Sequence, residues 1–449
     1  MNTNKKTSCE SLGDYPIFTH VLFSMGIVMH NIALKVSDRT PFFYGWVVLF
    51  CACCAGFVRQ GPAVATLSIF VTPMTDEFEW SRTAISGAVS IGGVLAAIIS
   101  PFLGPFIDKH GARGVLCSAI LITALCTVLL SQLTSLLMFY FLFCLARLNF
   151  AGPFDLGIYT AVNNWFVKKR PRAISIVTLA QMAGLTAMPL IGFVAMNQGG
   201  WRMGWLIIGI TIIAVGLLPN LLLMCRRPED IGLYPDGSEK NFKFDDTDQP
   251  NLMEPSFTRR QAISKLSFWL LALFTFLVFP VQAGVSLHQA PHLLERGLSP
   301  GTAALVVSCF SFISGLSALL YGYTTRRIGV RFNLFLSGLT LGVGAFLMYL
   351  TQTASLAYIA AIFFGIGIGG ILCVLPIVWA DYFGRESFGS IRGIVLTIQI
   401  SSQALGPVLS GFLRDWSNSY DLSLLLFVGM SIFAAVIGII VFPPGLQKK

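Results

Sequence analysis

A chain of 449 residues that is 55% hydrophobic and only 11% charged cannot be a soluble domain built around one core, and has the composition of a protein dissolved in lipid. The formal net charge is +9. The excess sits in loops between long apolar runs, so it reads as a topology signal and argues against a nucleic-acid partner.

In chain order, residues 1–41 come first. Ile17 to Leu34 is mostly apolar but short, and His20, Gly26, His30 and Asn31 interrupt it, so 1–41 reads as a cytoplasmic segment rather than a span. Runs long enough to cross a bilayer of about 30 Å as helices of about 20 residues begin near Phe43, Ala84, Val115, Leu136, Ala173 and Gly204. Cys225 to Lys265 then holds eight acids and seven bases without a sustained apolar period, the composition of a mobile cytoplasmic linker. Apolar runs resume near Leu266, Thr302, Asn333, Ala354, Gly393 and Leu422. The expected fold is all-α and integral to the membrane, with twelve transmembrane helices in two six-helix pseudo-repeats. The bundles cover 42–224 and 266–443, joined by the linker 225–265 and followed by a cytoplasmic tail, 444–449.

Lys and Arg set the orientation. With the linker inside, cytoplasmic segments hold 24 of the 30 bases, against four outside, Arg82, Arg202, Arg296 and Arg414. That asymmetry puts both termini in the cytoplasm, because positively charged loops resist translocation.

The halves are copies. Gly104 to Arg113 (GPFIDKHGAR) returns as Gly322 to Arg331 (GYTTRRIGVR) at an offset of 218, which also carries Ser81 to Ser299 and Gln181 to Gln399. Two such bundles with a site between them are the plan of a secondary transporter.

Ten scattered cysteines, eight of them in predicted spans, read as packing residues. His288, His292 and Glu295 have a spacing that could hold a metal, but Pro291 interrupts it, and no metal or other cofactor is expected. No phosphate-binding loop, nucleophile elbow or zinc-protease helix appears, so the chain does not read as an enzyme.

Gly104, Asp108, Lys109, Gly111 and Arg113 resemble the loop between helices 2 and 3 of the major facilitator superfamily, with Phe106 where leucine is usual. Tyr44-Gly45-Trp46, Glu79-Trp80-Ser81-Arg82, Trp165-Phe166 before Lys168, Lys169 and Arg170, Gly200-Trp201-Arg202, Arg227-Pro228-Glu229 and Pro235-Asp236-Gly237 look like its monocarboxylate and oxalate/formate porter branch. The resemblance implies alternating access and carboxylate substrates, moved with a proton or by exchange. It departs in one respect: the lysine some members carry in helix 1 would fall on Ala63, and neither helix 8 nor helix 11 offers the basic residue of better-known relatives.

Few charges remain within the apolar runs: Arg59, Arg147 and Asp155, with Asp381 at a helix end. A lone Arg at the bilayer centre costs on the order of 2.5–3.5 kcal/mol on insertion scales, so it faces a cavity or a partner. Arg59 precedes Gly61 and Pro62, which can open the first helix. Arg59 and Arg147 are candidate anion receptors, although each could instead be structural, Arg59 by pairing with Asp155. Gln181, Gln282 and Gln399 are weaker substrate-binding candidates. Asp155 and His288 are candidates for proton coupling. Gly104, Asp108, Lys109, Gly111, Arg113, Arg331 and Asp381 are candidates for gating, with Asp108 and Arg113 latching helix ends.

The expected function is import of a small organic anion, most plausibly a monocarboxylate, by proton symport through the inner membrane of a bacterium, the protein acting as a monomer. The alternatives are an exchanger or exporter of another small molecule, drugs included, and a membrane sensor without flux.

Overall fold

The computed structural model describes residues 40–237 and 256–445. The expectations for 1–39, for the middle of the linker and for the last four residues lie outside the described residues. Among the described residues, ten helices are long and apolar enough to cross a membrane. One of them, Arg170–Leu223, runs 54 residues, too long for a single crossing at about 1.5 Å per residue. It is divided by non-helical backbone at Gly199 and Gly200 and supplies the fifth and sixth spans. The first span is not among the ten because it is broken into Gly45–Val58 and Val64–Phe78. The described residues therefore make twelve spans.

The remaining spans are Arg82–His110, Ala112–Leu130, Leu136–Trp165, Leu266–Glu295, Pro300–Ile328, Val330–Tyr349, Ala354–Phe383, Phe388–Ser417 and Asp421–Ile440. The fourth of the twelve, Leu136–Trp165, is interrupted at Gly152, with Pro153 opening its second helix. Helices are the expected elements here, since lipid offers the backbone no hydrogen-bond partner and an α-helix satisfies its own groups.

The 218-residue repeat is physical as well as textual. Ser81 caps the second span by accepting from the Ala84 amide at 3.1 Å, and Ser299 caps the eighth from Thr302 at 3.2 Å. Ser135 and Thr353 cap the fourth and tenth in the same way. Gly111 and Gly329, with φ of 86° and 84°, make the paired reversals after the second and eighth spans, in a region of φ that side chains avoid. Beyond each reversal, Arg113 donates to the Leu221 carbonyl and Arg331 to that of Ile439, so donor and acceptor both keep the offset. These two contacts tie neighbouring helices within a half, and neither arginine bridges the halves.

The halves meet mainly through the second span against the eleventh and the fifth against the eighth. Both contacts lie toward the side carrying the two hinges, here called the hinge side. Gly104 and Gly389 touch there so closely that a Cβ on Gly104 would collide with the Gly389 carbonyl. Asp108 Oδ1 accepts from the Gly389 amide at 2.8 Å, and Oδ2 from the Ser390 amide at 2.7 Å and its hydroxyl at 2.5 Å. Arg170 Nη1 reaches Asp381 Oδ1 at 2.5 Å, and Arg385 donates to the Asn164 carbonyl at 2.8 Å. Toward the opposite side the ion pairs stay within one half: Arg202 with Glu77, Arg296 with Asp421 and Arg414 with Glu295. The molecule is clasped on the hinge side.

The linker departs from expectation at its first end. Pro228–Ile231 and Pro235–Gly237 form short 3-10 turns docked on the first half. The Asp236 carboxylate accepts from the amides of Val167, Lys168 and Lys169 at 3.1, 2.6 and 3.0 Å, holding the turn that leads into the fifth span at Arg170. Glu229 pairs with Arg385 of the other half. A carboxylate in the turn ahead of a helix satisfies free amides and complements the helix dipole, which is why so polar a stretch can be ordered.

Candidate functional site

Two helix breaks build the site. The first span ends at Val58 and resumes at Val64, and Arg59 sits at the C-cap, where the dipole favours a cation. The opened backbone is partly satisfied by Thr66, whose hydroxyl donates to the Gln60 carbonyl at 2.8 Å. In the fourth span Arg147 and Phe150 precede the break at Gly152, and Asp155 follows in the first turn of Pro153–Trp165, where free amides favour a carboxylate.

Between the halves lies a cavity of about 270 Å³, lined among others by Arg59, Arg147, Asp155 and Arg392. Asp155 is 4% exposed and bridges two guanidiniums: Oδ2 lies 3.3 Å from Arg59 Nη1, and Oδ1 lies 3.3 Å from Arg392 Nη2. The first pair joins two spans of one half, and the second crosses between halves. Gln181 accepts from Arg59 Nη1 at 3.4 Å, and Gln399 accepts from Arg392 Nη2 at 2.9 Å. Thus the repeat-mate glutamines each hold one arginine. Gln181 also accepts a place beside Tyr159, donating to its hydroxyl at 3.4 Å, and Gln403 donates to Gln282 at 3.0 Å.

Arg147 is held differently. Its guanidinium carbon lies 4.1 Å from the centre of the Phe150 ring, which Arg59 also faces at 4.6 Å. Two cations thus share one aromatic ring, an arrangement the ring's negative face tolerates. No acid pairs with Arg147 among the described residues, and its Nε and Nη1 are buried without a hydrogen-bond partner in the protein. Arg59 Nε and Arg392 Nε and Nη1 are also buried and unpartnered. Three guanidiniums facing one carboxylate leave the cavity with an excess of two positive charges.

The structure therefore gathers Arg59, Arg147, Asp155, Gln181, Gln282 and Gln399 around one space. His288 lies elsewhere. It lines a separate small pocket with His292 and Tyr420, its ring 5.3 Å from that of Tyr420, so the two residues expected to carry protons are not brought together. Of the gating candidates, Gly104, Asp108 and Asp381 lie on contacts that cross the halves, Gly111, Arg113 and Arg331 on contacts within a half, and Lys109 is exposed.

Arg392 is the residue the sequence reading missed. In the sequence it falls among the cytoplasmic loop charges, because it immediately precedes the apolar run at Gly393. The helix in fact begins at Phe388, and Arg392 is buried, 3% exposed, one turn inside it. Its spacing of seven from Gln399, two helical turns on one face, was the available signal.

Monocarboxylate transporter 2 of Homo sapiens is 24% identical over 400 residues, covering 84% of this chain and 81% of that protein. An uncharacterized MFS-type transporter of Bacillus subtilis (strain 168), YcxA, is 24% identical over 400 residues, covering 86% of this chain and 91% of its own length. Among solved structures, the proton:xylose symporter XylE superposes with a TM-score of 0.69 at 14% identity, over 88% of this chain and 94% of that one. The pattern of the Major Facilitator Superfamily matches residues 46–295 and again 266–448, the second match falling on the second copy of the repeat. With the family's pattern covering nearly the whole of both copies, the chain belongs to the Major Facilitator Superfamily.

Proposed function

We propose that the protein is a secondary active transporter that imports a small organic anion, a carboxylate of the monocarboxylate type, by alternating access coupled to protons. The hinge side is cytoplasmic in this reading, both termini included. The two bundles, 42–224 and 266–443, rock about the central cavity in the inner membrane of a bacterium. The clasped hinge side then corresponds to a conformation facing outward.

One observation carries the proposal: Arg147, a buried guanidinium with no acidic partner among the described residues, lining a cavity between the halves. Burying an unpaired charge is costly, and a carboxylate arriving from water would remove that cost while making charge-assisted hydrogen bonds. A neutral sugar would not. The names of relatives such as monocarboxylate transporter 2 support the same substrate class. Asp155 supplies a titratable group at the centre: taking up a proton, it would release Arg59 and Arg392.

A second reading is exchange without protons, favoured by the grip of two guanidiniums on Asp155. Uptake of radiolabelled carboxylates into proteoliposomes decides between them. Proton symport requires accumulation driven by an inward proton gradient. Counterflow alone would establish exchange, and binding without flux would point to a sensor.

A further inference from the structure

The two crossings that join the halves on the hinge side are repeat mates of opposite charge. Gly322 meets the fifth span as Gly104 meets the eleventh: a Cβ on Gly322 would collide with Ser175 and with the carbonyl of Pro171, the residue 218 positions before Gly389. That shared register sets Arg326 against the start of the fifth span, as Asp108 is set against the start of the eleventh. Asp108 clasps its crossing by accepting from the Gly389 and Ser390 amides. At the mate positions the carboxylate is replaced by a guanidinium, Gly389 by a proline with no amide to donate, and Ser390 by Arg172. The second crossing therefore lacks the clasp and brings like charges together.

Arg172, Arg326 and Arg327 are exposed at the hinge-side ends of the fifth and eighth spans, and none of them pairs with an acid among the described residues. Two of them lie over aromatic rings instead, Arg172 at 5.6 Å from the centre of Trp46 and Arg327 at 5.4 Å from that of Tyr323. The acids that reach this edge are already engaged, Asp381 by Arg170 and Asp236 by the amides ahead of the fifth span. Exposed arginines with Trp and Tyr beside them at span ends suit the headgroup layer of a bilayer.

We infer that this crossing is a docking site for the headgroup of an anionic phospholipid, its phosphate bridging Arg172 of the first half and Arg326 of the second. The lipid supplies the negative charge that Asp108 supplies at the other crossing. A zwitterionic headgroup brings its own cation and leaves the excess charge in place. Because the two arginines belong to different halves, the phosphate bridges them only while the hinge side is closed, so an anionic bilayer shifts the protein toward the clasped conformation.

The test follows hydrogen exchange in the full chain, reconstituted in phosphatidylcholine with and without phosphatidylglycerol. Exchange at the hinge-side ends of the fifth and eighth spans should slow several-fold when phosphatidylglycerol is present. Arg172→Gln combined with Arg326→Gln should remove most of that slowing, while lysine at both positions should keep it, because the charges remain. Arg260→Gln removes an exposed base beside the other crossing, where neighbouring Arg259 donates to the Pro101 carbonyl, and should leave the slowing intact. The comparison of lipids in the parent chain involves no substitution, so a folding defect cannot obscure it. Equal exchange in the two bilayers overturns the inference. So does an equal loss in Arg260→Gln, which would mark a diffuse attraction, and so does full slowing by soluble glycerol phosphate in phosphatidylcholine, which would make the ligand a free anion.

Discussion

Asp155 and Arg392 form an ion pair of 3.3 Å that joins the fourth span to the eleventh, and hence one half of the chain to the other. The same carboxylate holds Arg59 within its own half. Whatever neutralises Asp155 therefore loosens a contact between the halves and exposes two guanidiniums to the cavity.

The first prediction concerns that carboxylate. Asp155→Asn should abolish uptake driven by a proton gradient while preserving counterflow exchange, because the carboxyl proposed to carry the proton is gone but the arginines remain. The variant should also be less stable, since breaking a buried pair costs about 3–5 kcal/mol when water is fully excluded and less in an open cavity. Added substrate should restore much of that loss. Equal loss of both transport modes in folded protein would mark Asp155 as structural.

Two arginines share the Phe150 ring, yet only one is engaged by an acid. Arg147→Gln should therefore weaken carboxylate binding by about 1.5–3 kcal/mol, roughly 10- to 150-fold. Arg59→Gln should cost less, since it also frees Asp155 to strengthen its hold on Arg392. Titration calorimetry ranks the two, and the reverse order would return the receptor role to Arg59.

On the hinge side, Gly104→Ala places a methyl group against the Gly389 carbonyl. The second and eleventh spans would have to separate, so the hinge side should be harder to close. A cysteine introduced at Ser390 should label faster with a hydrophilic maleimide in this variant than in the parent, and turnover should fall several-fold. Asp108→Asn, which weakens a cap on the start of the eleventh span, should push in the same direction by a smaller amount.

Topology is testable directly. A reporter inserted near Asp245, which lies outside the described residues, should be cytoplasmic, and one near Gly297 should be outside. Reversal of either would overturn the orientation that the Lys and Arg distribution implies.

The architecture was legible because its signals are periodic and long. Apolar runs mark the spans, and the 218-residue repeat extends to particular caps, Ser81 with Ser299 and Ser135 with Thr353. The cavity was half legible. Arg59, Arg147 and Asp155 interrupt apolar runs and so advertise themselves, whereas Arg392 lies at the edge of a run and looks like any positive loop residue. The pairings needed three dimensions: nothing in the sequence says that Asp155, 96 residues beyond Arg59, also reaches a residue 237 positions later. The docked linker was hidden for another reason. Its polar composition argues against burial, and its order comes from a carboxylate meeting three successive turn amides ahead of the fifth span, a short-range event that leaves no apolar period.

The Asp236 cap also fixes where this protein divides. The starts of the fifth and eleventh spans are repeat mates, yet the eleventh is capped by Asp108 from the opposite half, whereas the turn before the fifth is held by the linker of its own half. At the position equivalent to Asp108, the second copy has Arg326. The duplicated gene product has therefore lost mirror-like reciprocity at its hinge side. Two fragments expressed separately should reassociate when the cut falls between 238 and 255, which leaves Glu229 and Asp236 on the first fragment. A cut near Cys225 would hand the anchor of that turn to the wrong piece, and the first half would reach its partner with the amides of Val167, Lys168 and Lys169 bare.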